Sequence, residues 1–363
     1  MFIDRVHGAP CYSNPCSRSV GDTSLHTTLV TGICIVGYGY WGPKLVRNFK
    51  QVAGCPVAVC DESPERLARA RVDFPGIVTF DSFDALLAAP AFDAVALATP
   101  VSTHHPLARR ALEAGRHVLV EKPITHSLAT AEELVALAEQ RQRVLMVDHT
   151  FVFHPAVHRI KALIDNGELG QLRYIDSTRI NLGLFQHDVN VLWDLAVHDL
   201  SIVNFLTGER PMSVNATAVA HTPGAPENIG FIVLRYASGL VVHLNCSWVS
   251  PVKIRHILIG GDKKMVLYND LDANEPVKVY DSGYKARSDE ERSRLLFDYR
   301  VGDVYSPKIA TFEALGAMAT DFVQAIRTGR APRTPGRFGA DVVAILEAAQ
   351  RSIADRGREV DLA

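Results

Sequence analysis

Residues 31 to 42 read TGICIVGYGYWG, and their order decides the fold: a short apolar run, a turn dense in glycine, then a helix. Ile33, Cys34, Ile35 and Val36 suit a strand covered on both faces. Gly37, Gly39 and Gly42 stand at the spacing of a dinucleotide-binding turn. Gly37 permits the tight turn, Gly39 lets main chain approach a pyrophosphate, and Gly42 lets the helix pack closely on the strand. Pro43 falls at the first helical position, where its missing N–H costs nothing. The helix N-terminus then offers free amides and the positive end of its dipole to phosphate. Gly37, Tyr38, Gly39, Tyr40, Trp41 and Gly42 are therefore the expected cofactor-binding positions of the turn.

The next strand, Val57 to Cys60, ends at Asp61, close to the offset of about 20 residues at which an acid hydrogen-bonds the adenosine ribose. A carboxylate there favours NAD over NADP, because it repels a 2′-phosphate. The plainer alternative is that Asp61 only caps the turn before Pro64. Arg66 is also counted with the cofactor, since an Arg just beyond this position can accommodate a 2′-phosphate. NAD is the expected cofactor.

The 363 residues leave room for two domains, and 38 Lys+Arg against 40 Asp+Glu make the chain nearly neutral. That balance argues against nucleic acid or a membrane surface as the main partner. No apolar run reaches the length of a membrane span, and the first 28 residues lack the apolar core of a signal peptide. A cytoplasmic enzyme is expected, with residues 1–29 as a poorly ordered extension rich in Ser, Thr, Gly and Pro. Cys34, Cys55, Cys60 and Cys246 lie in or beside apolar strands and read as small hydrophobes. Cys11 and Cys16 could just hold a metal by their spacing, but no second ligand pair follows, and no metal is expected.

Helix and strand keep alternating after Asp61. The helix ESPERLARARVDF stops at Pro75 and Gly76, a strand covers Ile77 to Phe80, and DSFDALLAA opens on an Asp or Ser cap. The strand Ala94 to Ala98 ends at Thr99 and Pro100, and ligands bind at the carboxyl ends of such strands. Thr99, Pro100 and His104 are accordingly expected to face the cofactor. A helix from about His105 to Ala114 leads to the strand His117 to Val120, which ends in Glu121, Lys122 and Pro123, and Glu121 and Lys122 are also counted among the expected cofactor-binding positions. Pro123 biases Lys122 toward an extended conformation, which holds its ammonium at the sheet edge beside the nicotinamide, where it can stabilise a developing alkoxide. The plainer reading is a surface ion pair with Glu121. Ser127 caps the helix LATAEELVALAEQR, and the strand Val144 to Val147 closes a first domain, 30–150.

Beyond it strands dominate. After the helix PAVHRIKALIDNG come Leu172 to Ile180, Met212 to His221, Gly230 to Tyr236, Leu240 to Trp248, Arg255 to Ile259 and Lys264 to Tyr268. Short connections such as Ala237, Ser238 and Gly239 mark hairpins. The fold class is α/β: an N-terminal Rossmann domain with a doubly wound parallel sheet, then an α+β domain, 151–363, with a large, open, mostly antiparallel sheet. Its final helices are expected to pack back near the first domain. The helix in NVLWDLAVHDLSIVNFLTG places Asp194 and His198 four apart, on one face and within reach. A carboxylate beside an imidazole raises its pKa and orients it, as a general base requires. The plainer reading is an exposed pair, worth a few tenths of a kcal/mol. His154 and His158 share a ligand spacing, but Pro155 puts them at a helix start, where capping or solvation is expected.

GYGYWG at 37 to 42, TPVSTH at 99 to 104, EKP at 121 to 123 and WDLAVHD at 193 to 199, taken in order, resemble the glucose-fructose oxidoreductase, inositol dehydrogenase and MocA family. The resemblance covers nearly everything after residue 30. It implies a Rossmann domain followed by an α/β domain, assembled as dimers or tetramers through the open sheet. By position it implies Lys122 as catalytic lysine, Asp194 as the acid near the substrate and His198 as proton acceptor. The run TRINLGLFQHDVNVLWDLAVHDLSIV looks like the branch that oxidises C3 of nucleotide-linked sugars, such as UDP-N-acetylglucosamine or its uronic acid, whose keto product passes to an aminotransferase. Arg179 and Asn181, on one face of an extended segment, are candidates for contact with sugar or diphosphate, beside Lys122, Asp194 and His198. Alternatives are an NADPH-dependent ketoreductase of a dTDP-deoxysugar, an inositol or free-sugar dehydrogenase, a redox-neutral glycoside-cleaving relative, and an NAD-binding sensor without turnover.

Overall fold

The structure, a computed structural model, describes residues 32–183, 189–285 and 298–362. The expectations for residues 1–29, Cys11 and Cys16 lie outside the described residues, as does part of the run between Arg179 and Asp194.

The first half alternates strictly between strand and helix: β1 (Ile33–Val36), α1 (Gly42–Gln51), β2 (Val57–Cys60), α2 (Pro64–Asp73), β3 (Val78–Phe80), α3 (Phe83–Leu87), β4 (Ala94–Leu97), α4 (His104–Glu113), β5 (His117–Glu121), α5 (Leu128–Arg141) and β6 (Leu145–Asp148). The strands form one parallel sheet in the order β3-β2-β1-β4-β5-β6, with β1 at its centre, Ile33 beside Val57 on one side and Ala94 on the other. Every residue of β1 is buried, and its alternation divides two core layers. Ile33 and Ile35 join Leu45, Val46 and Phe49 of α1; Cys34 and Val36 join Ala108, Ala111 and Leu112 of α4 and Leu134 of α5. The order reverses between β1 and β4, so the carboxyl ends of those strands flank a crevice.

The second half begins with α6 (Pro155–Asp165), whose first amides are capped by His154 Nδ1, which accepts from Ala156 N–H at 3.2 Å. It continues through β7 (Leu172–Leu182), a π-helical turn (Leu192–Ala196), α7 (Val197–Thr207), β8 (Ser213–Val219), β9 (Ile229–Arg235), β10 (Val241–Ser247), β11 (Val249–Gly261), β12 (Met265–Asn269), β13 (Val277–Lys285) and β14 (Asp298–Tyr305). The helices α8 (Ala314–Thr328) and α9 (Gly336–Ala354) and the short β15 (Val360–Asp361) complete the described chain. These strands form a nine-stranded sheet, β14-β13-β12-β11-β7-β10-β9-β8-β15, antiparallel except where β7 runs parallel to β10. β11 is much longer than the expected Arg255 to Ile259, and β13, β14 and β15 were not expected. In β13 the alternation of Val277 and Val279 with Lys278 breaks down at Asp281 and Ser282, where the register shifts.

One face of this sheet carries the core: Ile175, Ile232, Leu234, Val242, Leu244, Ile257 and Ile259 pack on α6, α7 and α9. On the other face Tyr174, Phe231 and Leu258 are exposed. The last helices cross back. Phe322 of α8 meets Phe49 of α1 edge-on at 6.3 Å, and α9 places Ala340 and Val343 in the Rossmann core and Val342, Ile345 and Leu346 in the second core. Among the described residues no helix is long and apolar enough to cross a membrane.

Candidate active site

The glycine turn follows β1 at the carboxyl edge of the parallel sheet. Gly37 has φ +95° and donates its amide to Cys60 O at 2.8 Å; a Cβ there would lie 2.8 Å from Ala98 O. A Cβ on Gly42 would lie 2.4 Å from Gly37 O, whereas one on Gly39 would meet nothing within 4 Å. Protein packing thus requires two of the glycines, and open space surrounds the third. The N-terminus of α1 has no side-chain cap, while Ser63, Ser82 and Ser127 cap α2, α3 and α5. Free amides and a Cβ-free approach are what a pyrophosphate needs.

Asp61 holds this turn in place. Its Oδ2 accepts the Tyr38 amide at 2.7 Å, its Oδ1 accepts the Ser63 amide at 2.9 Å, and Arg66 Nη1 stands 3.5 Å from Oδ2. The capping role is therefore present, and it leaves lone pairs on both oxygens for a ribose hydroxyl. Only the main chain of Tyr38 faces the turn, since its ring is buried and its hydroxyl donates to Asp73 at 2.9 Å. Tyr40 and Trp41 are exposed and lie edge to face, with the Lys44 ammonium 3.5 Å and 4.2 Å from their ring centres.

At the end of β4, Thr103 Oγ1 donates to Thr99 Oγ1 at 2.7 Å. His104, expected to face the cofactor, is buried instead between two loops, with Nδ1 2.9 Å from Pro123 O and Nε2 2.9 Å from Thr99 O. It fastens the β4 loop to the β5 loop and keeps its ring out of the cleft. Glu121 is also buried, beside its register partner Asp148 on β6, so the plainer reading of a surface ion pair with Lys122 does not hold.

Lys122 stands at the carboxyl end of β5. Its Nζ donates to the main-chain oxygen of Asp194 at 3.2 Å and lies 3.8 Å from Asp194 Oδ1. Burial pulls its pKa down, opposed chiefly by Asp194 and Glu121. Trp248, which the sequence reading did not single out, donates Nε1–H to Asp194 Oδ2 at 3.0 Å. The carboxylate is thereby oriented between an indole and an ammonium.

His198 departs from expectation. Among the described residues it forms no ion pair or hydrogen bond with Asp194, whose carboxylate is held by Trp248 and Lys122; the helix opens with a π-helical turn across Asp194. The imidazole is half-buried, edge-on to Phe151 at 5.1 Å. Its pKa is lowered well below the ordinary value, not raised, by burial first and then by Lys122, Arg179, His149 and Arg255. His198 is therefore a neutral imidazole at neutral pH, ready to accept a proton.

Arg179 reaches the same centre but is largely engaged. Its Nε and Nη2 donate to Asp199 at 2.6 to 3.1 Å, the guanidinium lies 4.7 Å over the Phe151 ring, and Nη1 is buried without a partner. Among the described residues that one nitrogen is the donor left for the expected contact with sugar or diphosphate. Asn181, half-buried, sits by Gly183 and Trp248. His149, not assigned a role from sequence, is buried near Lys122 with both ring nitrogens unpartnered among the described residues, and burial drives its pKa down to about 3. Among the described residues no group of three or more His, Cys, Asp or Glu could hold a metal ion.

Comparison with known proteins bears on this arrangement. Residues 31–149 match the GFO/IDH/MocA oxidoreductase family, NAD-binding Rossmann fold, and residues 157–267 match the GFO/IDH/MocA C-terminal domain. A UDP-N-acetylglucosamine 3-dehydrogenase of Acidithiobacillus ferrooxidans is 36% identical over 52% of this chain and 58% of its own length. The aligned part thus spans less than two thirds of that relative. An uncharacterized oxidoreductase of Escherichia coli, YdgJ, is 31% identical over 66% of this chain and 72% of its own. A solved structure of the Acidithiobacillus enzyme superposes with a TM-score of 0.76 at 27% identity, covering 89% of this chain and 98% of that one.

Proposed function

The chain belongs to the Gfo/Idh/MocA oxidoreductase family and carries its NAD-binding Rossmann fold, and from that premise we propose that it oxidises C3 of a nucleotide sugar. UDP-N-acetylglucosamine or its uronic acid is the substrate, and the 3-keto sugar is the product. The observation that carries the reaction type is Lys122, anchored on Asp194 at the carboxyl end of β5, with His198 of α7 near enough for the ammonium to lower its pKa. The 36% identity with a UDP-N-acetylglucosamine 3-dehydrogenase supports the substrate.

In this reading the uncapped amides of α1 beside Gly39 would hold the diphosphate of NAD, and Asp61 would hydrogen-bond its adenosine ribose. The chemistry such a cofactor supplies is acceptance of a hydride from the carbon that bears the reacting hydroxyl. A ring nitrogen of His198 takes the hydroxyl proton. The Lys122 ammonium, with donors left over from Asp194, stabilises the negative charge that develops on the oxygen. Trp248 keeps Asp194 facing Lys122, and Asp194 keeps Lys122 facing the substrate. The exposed face of the nine-stranded sheet, with Tyr174, Phe231 and Leu258, is read as the surface through which two or four subunits assemble. A downstream aminotransferase consumes the ketone.

The test is NADH formation on mixing the protein and NAD with UDP-N-acetylglucosamine, its uronic acid, dTDP-sugars, free sugars and inositol. Sustained NADH with the UDP-sugars and little with the rest is expected. A response confined to inositol or free sugars, or NADPH oxidation by a dTDP-ketosugar alone, would replace the substrate assignment.

A further inference from the structure

Directly behind Lys122 lie two carboxyl groups that the mechanism above does not use as a pair. Glu121 ends β5 and Asp148 ends β6, and the two are register partners on adjacent parallel strands. Both are buried, at 9% and 2% exposure. Thr150 Oγ1 donates to Asp148 Oδ1 at 2.6 Å, but Asp148 Oδ2, also buried, has no N–H or O–H donor among the described residues unless Glu121 carries a proton. Two ionised carboxylates side by side in a buried place repel strongly, and the usual resolution is that they hold one proton between them.

We propose that Glu121 and Asp148 are such a pair, one proton and one negative charge between two carboxyls, and that this single charge is a second counter-charge, beside Asp194, that keeps Lys122 an ammonium. Glu121 donates the shared proton to Asp148. Burial and the neighbouring carboxylate push Glu121 well above the carboxylate range, and burial pushes Asp148 up to about 6, so near neutral pH the charge rests mainly on Asp148. The other groups around Lys122 set what the pair must supply. Asp194 is the one anion at contact distance; Arg179 is a nearby cation, itself matched by Asp199; His149 and His198 are both neutral. Asp148 is in this sense a positioning residue that acts through Lys122.

This inference rests on the role given to Lys122, but its first test does not need turnover. Infrared difference spectra of the full-length protein at neutral pH, wild type minus Asp148→Asn, are expected to show the carbonyl stretch of one protonated carboxylic acid in the wild type only. In Asp148→Asn the amide donates to an ionised Glu121, so the acid disappears and the single negative charge stays. No protonated-acid band in the difference would overturn the pair.

The second test reads the alkaline limb of the pH–rate profile, where Lys122 loses its proton. Asp148→Asn is expected to keep that limb within about half a unit. Asp148→Leu leaves Glu121 buried without a donor, hence neutral, and is expected to move the limb down by about one unit or more, as removal of a nearby opposite charge does. Equal shifts in the two variants, or no shift in either, would overturn the counter-charge role while leaving the infrared result to stand or fall alone. Should Asp148→Leu fail to fold, Glu121→Leu, which leaves Asp148 buried without a donor for Oδ2 and hence neutral, takes its place with the same expected shift. Should the protein lack dehydrogenase activity, the infrared result still decides the pair.

Discussion

At the glycine turn the protein offers free main chain beside a Cβ-free opening; at Lys122 it crowds charged side chains into a small buried volume. The turn's working parts are the free amides of α1 and the open space at Gly39, with the Tyr38 ring folded away into the core. In the proposed centre Lys122 is held by Asp194 and Asp194 by Trp248, with His198, Arg179, His149 and the Glu121–Asp148 pair close enough to act on their charges. A surface made of main chain grips a ligand without changing its protonation, whereas a cluster of partly desolvated charges sets protonation states. The two regions should therefore fail differently, the first by losing affinity and the second by losing turnover.

The largest expected break is in the second region. His198→Ala should lower turnover by roughly 10²- to 10⁴-fold, the usual worth of a general base, with NAD affinity measured by calorimetry changed by only a few fold. The wild-type acid limb sharpens the same point. Because His198 is held neutral by burial and neighbouring cations, activity should rise with pH through a value below 6.5 and be fully developed at neutrality. A limb above 6.5 would mean that a carboxylate governs the imidazole after all.

The glycines give the converse. Gly42→Ala puts a methyl 2.4 Å from Gly37 O, which should lower stability by about 1–3 kcal/mol and weaken NAD binding as well, seen together in thermal melts and calorimetry. Gly39→Ala adds a methyl into open space, so the melting temperature should hold while NAD affinity falls. Equal behaviour of the two variants would erase the distinction between packing glycines and the ligand-facing one. Asp61→Ala should weaken NAD more than NADP, read as a ratio of dissociation constants. Smallest is Ser127→Ala, which removes the cap of α5 and should cost about 1 kcal/mol of stability with no change in cofactor binding or turnover.

Acid adds a stability difference between the regions. His149 is buried, and its folded pKa of about 3 lies below that of an exposed imidazole, so the unfolded chain binds the extra proton. Stability from this residue is complete above about pH 6.5 and is lost as pH falls toward 3. His149→Phe should flatten the fall of melting temperature over that window, and an unchanged slope would remove His149 as its source.

The same contrast explains what could be read from the chain alone. Strand, turn, helix, strand and acid at the cofactor end occupy residues 33 to 61, so local pattern suffices to find them. The catalytic centre joins Lys122 to Asp194, 72 residues apart, and Asp194 to Trp248, 54 apart. Motif order gave Lys122, Asp194 and His198 but neither Trp248 nor the pairing. Helical spacing joined Asp194 to His198, yet an indole from the start of the β10–β11 connection claims the carboxylate, and nothing near Trp248 in the sequence signals that. His104 and Tyr38 share a second limit. Both sit in segments expected to face the cofactor, but each side chain finds its hydrogen bond inward, His104 with Thr99 and Pro123 and Tyr38 with Asp73. Proximity of the segment says nothing of the direction of the ring.

The most direct measurement is the NADH absorbance that develops when NAD and UDP-N-acetylglucosamine are mixed with the wild type and, in parallel, with Lys122→Met that still binds NAD. A steady rise in the wild type and a flat trace in the variant is the expected result. Equal rates in both, or no rise in the wild type with any sugar nucleotide although NAD binds, would contradict a dehydrogenase centred on Lys122.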